Sequence, residues 1–152
     1  MKSLCIAPCG SKKIWSKNLK AGPAKARDVY IGPYAKKCQE YAEKFYPFSW
    51  CILSAKYGFL LPDDVIPGPY NVSFNDRKTN SISLKNLSKQ AEHKKIDKYN
   101  SVVVLGGKNY VEIAKQVFIG KFVLNPLSGC KGIGYMMGKL NDAIVSGNRL
   151  II

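Results

Sequence analysis

Acidic side chains are scarce in this chain. Its 10 Asp and Glu stand against 24 Lys and Arg, a formal charge of +14. That balance favours a polyanionic partner, nucleic acid or a phosphorylated nucleotide, with generic solubility as the plainer alternative. Histidine is rarer still, and His93 is the only one. The five cysteines (Cys5, Cys9, Cys38, Cys51 and Cys130) form no C-x-x-C pair and no His/Cys ligand spacing. A zinc site is therefore not expected, and neither a metal nor a cofactor is implied. An odd cysteine count also speaks against a disulfide framework. Cys5, Cys38 and Cys51 fall in apolar positions and read as small buried hydrophobes. Long apolar runs are missing too. Leu4-Cys5-Ile6-Ala7 is too short for a signal peptide, and nothing approaches membrane-spanning length. A soluble, cytoplasmic protein without a membrane partner is expected. Repeats, low-complexity tracts and linkers are absent, so residues 1–152 are expected to form a single domain.

What is present is an alternation of strand and helix. Residues 3–7, Trp50–Leu53, Ser101–Leu105 and Phe122–Leu124 read as strands, the third being β-branched and bounded by polar residues. After Pro33, Tyr34, Cys38, Tyr41, Ala42 and Phe45 recur at helical spacing. Leu84, Leu87 and Ala91 place a basic helix from Ser83 to about Lys98, with His93 among its lysines. Tyr110–Phe118 reads as a helix. A last helix carries Ile133, Met136, Met137, Leu140 and Ile144 and stops at Gly147. The expected fold is α/β and three-layered, a mostly parallel four-stranded sheet with helices on both faces.

Such a sheet sends the carboxyl ends of its strands to one edge, where ligands of open α/β sheets bind. The loops there carry the candidate ligand residues. They are Cys9, Gly10, Ser11 and Lys13; Ser54, Lys56, Tyr57 and Gly58; Gly106, Gly107 and Lys108; and Ser128 and Gly129. Gly132 and Gly134 at the start of the last helix would let a ligand approach the backbone. Together they predict a basic, glycine-lined, tyrosine-walled pocket. Arg27 could grip a phosphate, and Asp28 could orient a lysine or act as a base, though an ordinary salt bridge fits both equally. Three prolines from Pro62 to Pro69 predict a stiff loop without regular structure, holding Tyr70 as a stacking face. Asp63 in that loop is a candidate acid/base, or a turn residue together with Asp64. Residues 72–81 read as a polar loop.

These same segments resemble a known family. Cys-Gly-Ser-Lys-Lys at 9–13, Ala-Arg-Asp-Val-Tyr at 26–30, Leu-Ser-Ala-Lys-Tyr-Gly at 53–58, Leu-Gly-Gly-Lys at 105–108 and Gly-Ile-Gly-Tyr-Met-Met at 132–137 resemble a prokaryotic and phage family of small domains of unknown function. The likeness runs from about residue 4 to residue 140. More distantly, the turn at Tyr57–Asp63 is similar to one in YaaA-like peroxide-stress proteins, which bind DNA. Pro8, Cys9 and Lys13 are similar to part of a Pro-Cys-x-x-x-Lys-Pro-Tyr pattern in the catalytic module of archaeosine synthase. Ile14 and Trp15 replace its Pro and Tyr, and its later His falls at Ala21. These resemblances imply nucleic-acid base chemistry.

The combined expectation is an enzyme that modifies, exchanges or excises a nucleobase or nucleoside. Lys56, Asp28 and Asp63 are its catalytic candidates. Lys13, Lys56 and Lys108 would hold phosphate or developing charge, and Tyr57 and Tyr70 would position the base. The alternatives are a non-catalytic DNA- or RNA-binding stress protein and a small-molecule nucleotide enzyme. The apolar end Leu150-Ile151-Ile152 could pack on the core or form a homodimer.

Overall fold

The computed structural model describes residues 2–150. Four strands run parallel, β1 (Ser3–Pro8), β3 (Trp50–Ser54), β6 (Ser101–Val104) and β7 (Phe122–Leu124), in the spatial order β3-β1-β6-β7. The sheet is not limited to them. β4 (Gly58–Leu60) pairs antiparallel with β3, which makes a mixed five-stranded sheet ordered β4-β3-β1-β6-β7.

The period of two along each strand divides the core between the two faces. Cys5, Ala7, Trp50, Ile52, Val103 and Leu105 pack with Cys38 and Tyr41 of α3 (Pro33–Phe45) and with Leu140 of α6 (Ile133–Ser146). The alternate residues, Leu4, Ile6, Cys51, Leu53, Val102 and Val104, pack with Leu87 of α4 (Leu84–His93) and Ala114 of α5 (Lys108–Val117). Strands buried on both faces are continuous apolar runs, and Ser101–Val104 is buried throughout. Pro33 stands at the first turn of α3, and Gly147 closes α6 at φ +76°.

Three expectations need correction. The hairpin from β3 to β4 was missed because Gly58-Phe59-Leu60 is too short to show a period. Its three-residue turn, Ala55-Lys56-Tyr57, is followed by Gly58 at φ +75°, the left-handed position that such turns require. The stretch from Pro62 to Tyr70 is not wholly irregular. Val65–Ile66 (β5) pairs antiparallel with Ala24–Lys25 (β2), and Pro62 and Pro67 flank the two paired residues without interrupting them. Finally, α4 ends at His93 rather than Lys98, because the chain turns at Lys95 with φ +60°. Two further short helices, α1 (Ile14–Lys17) and α2 (Ala26–Val29), lie between β1 and α3.

Leu150 lies on the core: its N–H donates to the Tyr41 hydroxyl at 3.1 Å. The rest of the apolar end, Ile151 and Ile152, lies outside the described residues. Among the described residues no helix is long and apolar enough to cross a membrane.

Candidate functional site

The carboxyl ends of β1 and β3 lie side by side, with Pro8 opposite Leu53. Beyond them is a cavity of about 210 Å³ lined by Cys9, Gly10, Ser11, Lys13, Tyr110 and the segment Asn71–Asn75. Each wall comes from a different part of the chain. Cys9 to Lys13 follow β1, Tyr110 lies in the first turn of α5 after β6, and Asn71–Asn75 follow the proline-stiffened loop.

Tyr70 organises the polar side of this region. Its hydroxyl meets the Tyr30 hydroxyl in a short hydrogen bond and the Ser54 Oγ at 3.0 Å. Its ring meets Tyr57 edge-on at 5.2 Å. Lys13 Nζ lies 4.4 Å from the centre of the same ring, and Lys56 Nζ lies 5.7 Å from it. Two ammonium groups far apart in sequence thus share one aromatic face-and-edge environment. Among the described residues neither is within ion-pair distance of a carboxylate.

Lys13 is only 7% exposed. Its backbone is held by a bridge to Tyr30, and its ammonium donates to the Ser11 carbonyl at 3.4 Å. Burial lowers its pKa from the ordinary 10.5, and the nearby Cys9 works in the opposite direction. Lys56 is exposed at the hairpin tip, where Ser54 Oγ accepts from the N–H groups of Lys56 and Tyr57 at 3.3 and 3.1 Å. On the far wall, Tyr110 donates its hydroxyl to the Cys9 carbonyl at 3.3 Å and lies 3.2 Å from Cys9 Sγ. Phe74 meets the Tyr110 ring edge-on at 5.6 Å.

The buried phenols carry a pH signature. Burial pushes Tyr70 and Tyr41 up to about 12 from an ordinary 10.0, and it pushes Tyr30, Tyr34 and Tyr110 upward as well. A raised tyrosine pKa means that the folded chain keeps a proton the unfolded chain has lost. Stability from these groups is therefore complete below pH 10 and falls as the pH rises through the window toward 12. Urea midpoints measured from pH 9 to 12 should decline, and Tyr70→Phe should decline less steeply. Equal slopes for the two proteins would show that Tyr70 does not contribute.

The structure brings Cys9, Gly10, Ser11 and Lys13 to the cavity, and Ser54, Lys56, Tyr57 and Tyr70 beside it. Gly58 sets the turn that presents Lys56. Gly106 is buried against Tyr110, where a Cβ would come within 2.6 Å of the ring, so it leaves room for that wall. Gly107 caps α5, and Lys108 is exposed at the helix start, outside the cavity lining. Ser128, Gly129, Gly132 and Gly134 are exposed and also lie outside it.

Arg27, Asp28 and Asp63 stand elsewhere. Arg27 Nε donates to Asp63 Oδ1 at 2.9 Å, and its guanidinium also approaches Glu43 at 3.5 Å. Asp63, with its side chain 67% exposed, is further approached by Lys25 at 3.8 Å. This is a surface ion network, with each exposed pair worth roughly 0.2–1 kcal/mol. Asp28 is exposed in α2. Asp64 is a turn residue: it accepts from the Leu61 N–H at 2.8 Å and pairs with Lys94 at 2.9 Å.

Sequence reasoning missed Asn71–Asn75 and Tyr30 as parts of the site, whereas Tyr110 follows β6 with Gly106, Gly107 and Lys108 and was legible with that loop. Phe74, an aromatic within a polar stretch directly after Tyr70, was the available signal for the first of these. Among the described residues no group of three His, Cys, Asp or Glu side chains is placed to hold a metal ion.

The fold and the cavity define a class: a small α/β domain with a lysine- and tyrosine-walled cavity at the carboxyl edge of a mostly parallel sheet. The chain belongs to a family of unknown function, DUF6884, which matches residues 8–142 and so spans the whole cavity wall. It is similar to the uncharacterized protein YfjM of Bacillus subtilis (strain 168), with 42% identity over 152 residues, covering 99% of this chain and 100% of that protein.

Proposed function

We propose that this protein is an enzyme acting on a nucleobase or nucleoside, carried in nucleic acid or as a nucleotide. The observation that supports it best is the pair of ammonium groups, Lys13 and Lys56, gathered at Tyr70 with no carboxylate among the described residues to neutralise them. Unpaired cations beside a cavity favour an anion, and the phosphate of a nucleotide supplies one. The cavity, at about 210 Å³, is smaller than the usual pocket for a drug-sized ligand and suits one ring system. Phe74 and Tyr110 line the cavity and Tyr57 and Tyr70 stand beside it, so aromatic surface meets a ring at its mouth, and the two lysines stabilise negative charge that develops on it. The turn similar to that of YaaA-like DNA-binding proteins and the partial archaeosine-synthase pattern point the same way. A base within a duplex would have to be extruded to reach this cavity.

A second reading, non-catalytic binding of DNA or RNA, is favoured by the exposed Lys85 and Lys89 of α4 and by the +14 charge. The two readings part at Lys56. Mass spectrometry of small molecules co-purifying with the protein should recover a nucleoside or nucleotide. Lys56→Ala should reduce its occupancy at least about tenfold while affinity for nucleic acid changes little. If no base-containing molecule is recovered, and affinity for nucleic acid declines evenly with each lysine removed and steeply with salt, the binding reading replaces this one. Tight nucleotide binding with no affinity for nucleic acid would assign a small-molecule substrate.

A further inference from the structure

The cavity contains a nucleophile that the reading above does not use. Cys5, Cys38 and Cys51 are buried among apolar side chains; burial pushes Cys38 and Cys51 up to about 12 and Cys5 upward as well, so these thiols are inert. Cys9 differs in every respect. It is half-buried, its residue lines the cavity, and its Sγ is held 3.2 Å from the Tyr110 hydroxyl. Lys13 lines the same cavity, is 7% exposed, and has no carboxylate partner among the described residues. Its only hydrogen-bond acceptor there is the Ser11 carbonyl at 3.4 Å, a long contact.

We propose that Cys9 is a covalent nucleophile, with Lys13 as its proton acceptor and Tyr110 as the residue that positions the sulfur, and that it attacks an electron-poor ring carbon conjugated with a carbonyl. The electrophile's identity rests on the nucleobase reading; the reactivity of Cys9 does not. In the first step the thiol proton passes to the fraction of Lys13 present as free amine, leaving a thiolate beside an ammonium. The sulfur lone pair then forms the S–C bond. The ring C=C pair moves toward the carbonyl oxygen, and the resulting enolate is neutralised by the Lys13 ammonium, which can return its proton. Atoms and electrons balance without an oxidant, reductant or metal. Burial of Lys13 increases the fraction of amine able to accept that proton.

The test uses iodoacetamide on the intact protein, with peptide mapping of the rate at each cysteine. Cys130, also half-buried, is the internal comparison. Near neutral pH, Cys9 should be alkylated about tenfold faster than Cys130. Lys13→Gln should remove that advantage and leave the Cys130 rate unchanged. Tyr110→Phe should slow Cys9 to a smaller extent without altering how its rate depends on pH. A Cys9 rate no greater than that of Cys130, or one indifferent to Lys13→Gln, overturns the proposal. Should Lys13→Gln fail to fold by circular dichroism, the wild-type ratio and Tyr110→Phe decide it. Because alkylation needs no substrate, an inert Cys9 in a protein that retains nucleotide defeats only this inference. A reactive Cys9 in a protein that retains none defeats only the nucleobase reading.

Discussion

Gly58→Ala should lower the unfolding free energy by about 3 kcal/mol, from two separate causes. Gly58 sits at φ +75°, a conformation that costs a side-chain-bearing residue about 1 kcal/mol or more. A Cβ there would also lie 2.1 Å from Gln90 Oε1. That amide cannot move without loss, because it accepts from the Phe59 N–H at 2.9 Å and donates to the Tyr57 carbonyl at 2.9 Å. Leaving those backbone groups unpaired costs about 1 kcal/mol or more each. For a chain of this size the melting temperature should fall by roughly 10 °C. Gln90→Ala separates the causes, since it removes the hydrogen bonds and keeps the relaxed backbone. Combined with Gly58→Ala, the two costs should fall short of their sum. A fall below about 1 kcal/mol for Gly58→Ala in urea and thermal denaturation would show that the hairpin absorbs the side chain. The same hairpin presents Lys56 and Tyr57, so weakened stability should be accompanied by weakened ligand retention.

Tyr70→Ala should produce the largest functional loss. The substitution removes the aromatic surface shared by Lys13 and Lys56, the edge contact to Tyr57 and the hydrogen bonds to Tyr30 and Ser54. Truncating a largely enclosed aromatic ring costs about 3 kcal/mol of stability. Affinity for nucleoside monophosphates, measured by calorimetry, should fall by more than about tenfold, the value of one stacked ring. Tyr70→Phe keeps the ring and deletes only the hydroxyl. It should retain most of the affinity and cost about 1 kcal/mol, as the Tyr30 hydroxyl loses its partner. Equal loss of affinity in both variants would assign the role to the hydroxyl network and not to the ring.

β1, β3 and β6 were legible because each is a run of mostly buried residues long enough to carry a pattern, whereas β7, three partly exposed residues, was legible only as a short apolar run. β4, β2 and β5 were not legible, since two or three residues contain no period and are defined by their partners. The site divides in the same way. Cys9–Lys13 and Ser54–Gly58 could be picked out because each directly follows a buried strand. Lys108 also follows one, yet lies at an exposed helix start outside the cavity wall. Asp63 reads in the sequence as an acid/base or a turn residue, and neither reading contains its partner Arg27, thirty-six positions away along the chain.

The order of the four parallel strands and of the longer helices, and the excess of positive charge, are set by the sequence alone, because they depend on local periodicity and on composition. The meeting of Lys13, Lys56, Tyr30 and Ser54 around Tyr70, and the closure of the cavity by Asn71–Asn75 and Tyr110, were decided only in three dimensions. Those contacts join segments whose separation is bridged by the packing of the sheet edge, and no short-range pattern encodes which loop will reach another.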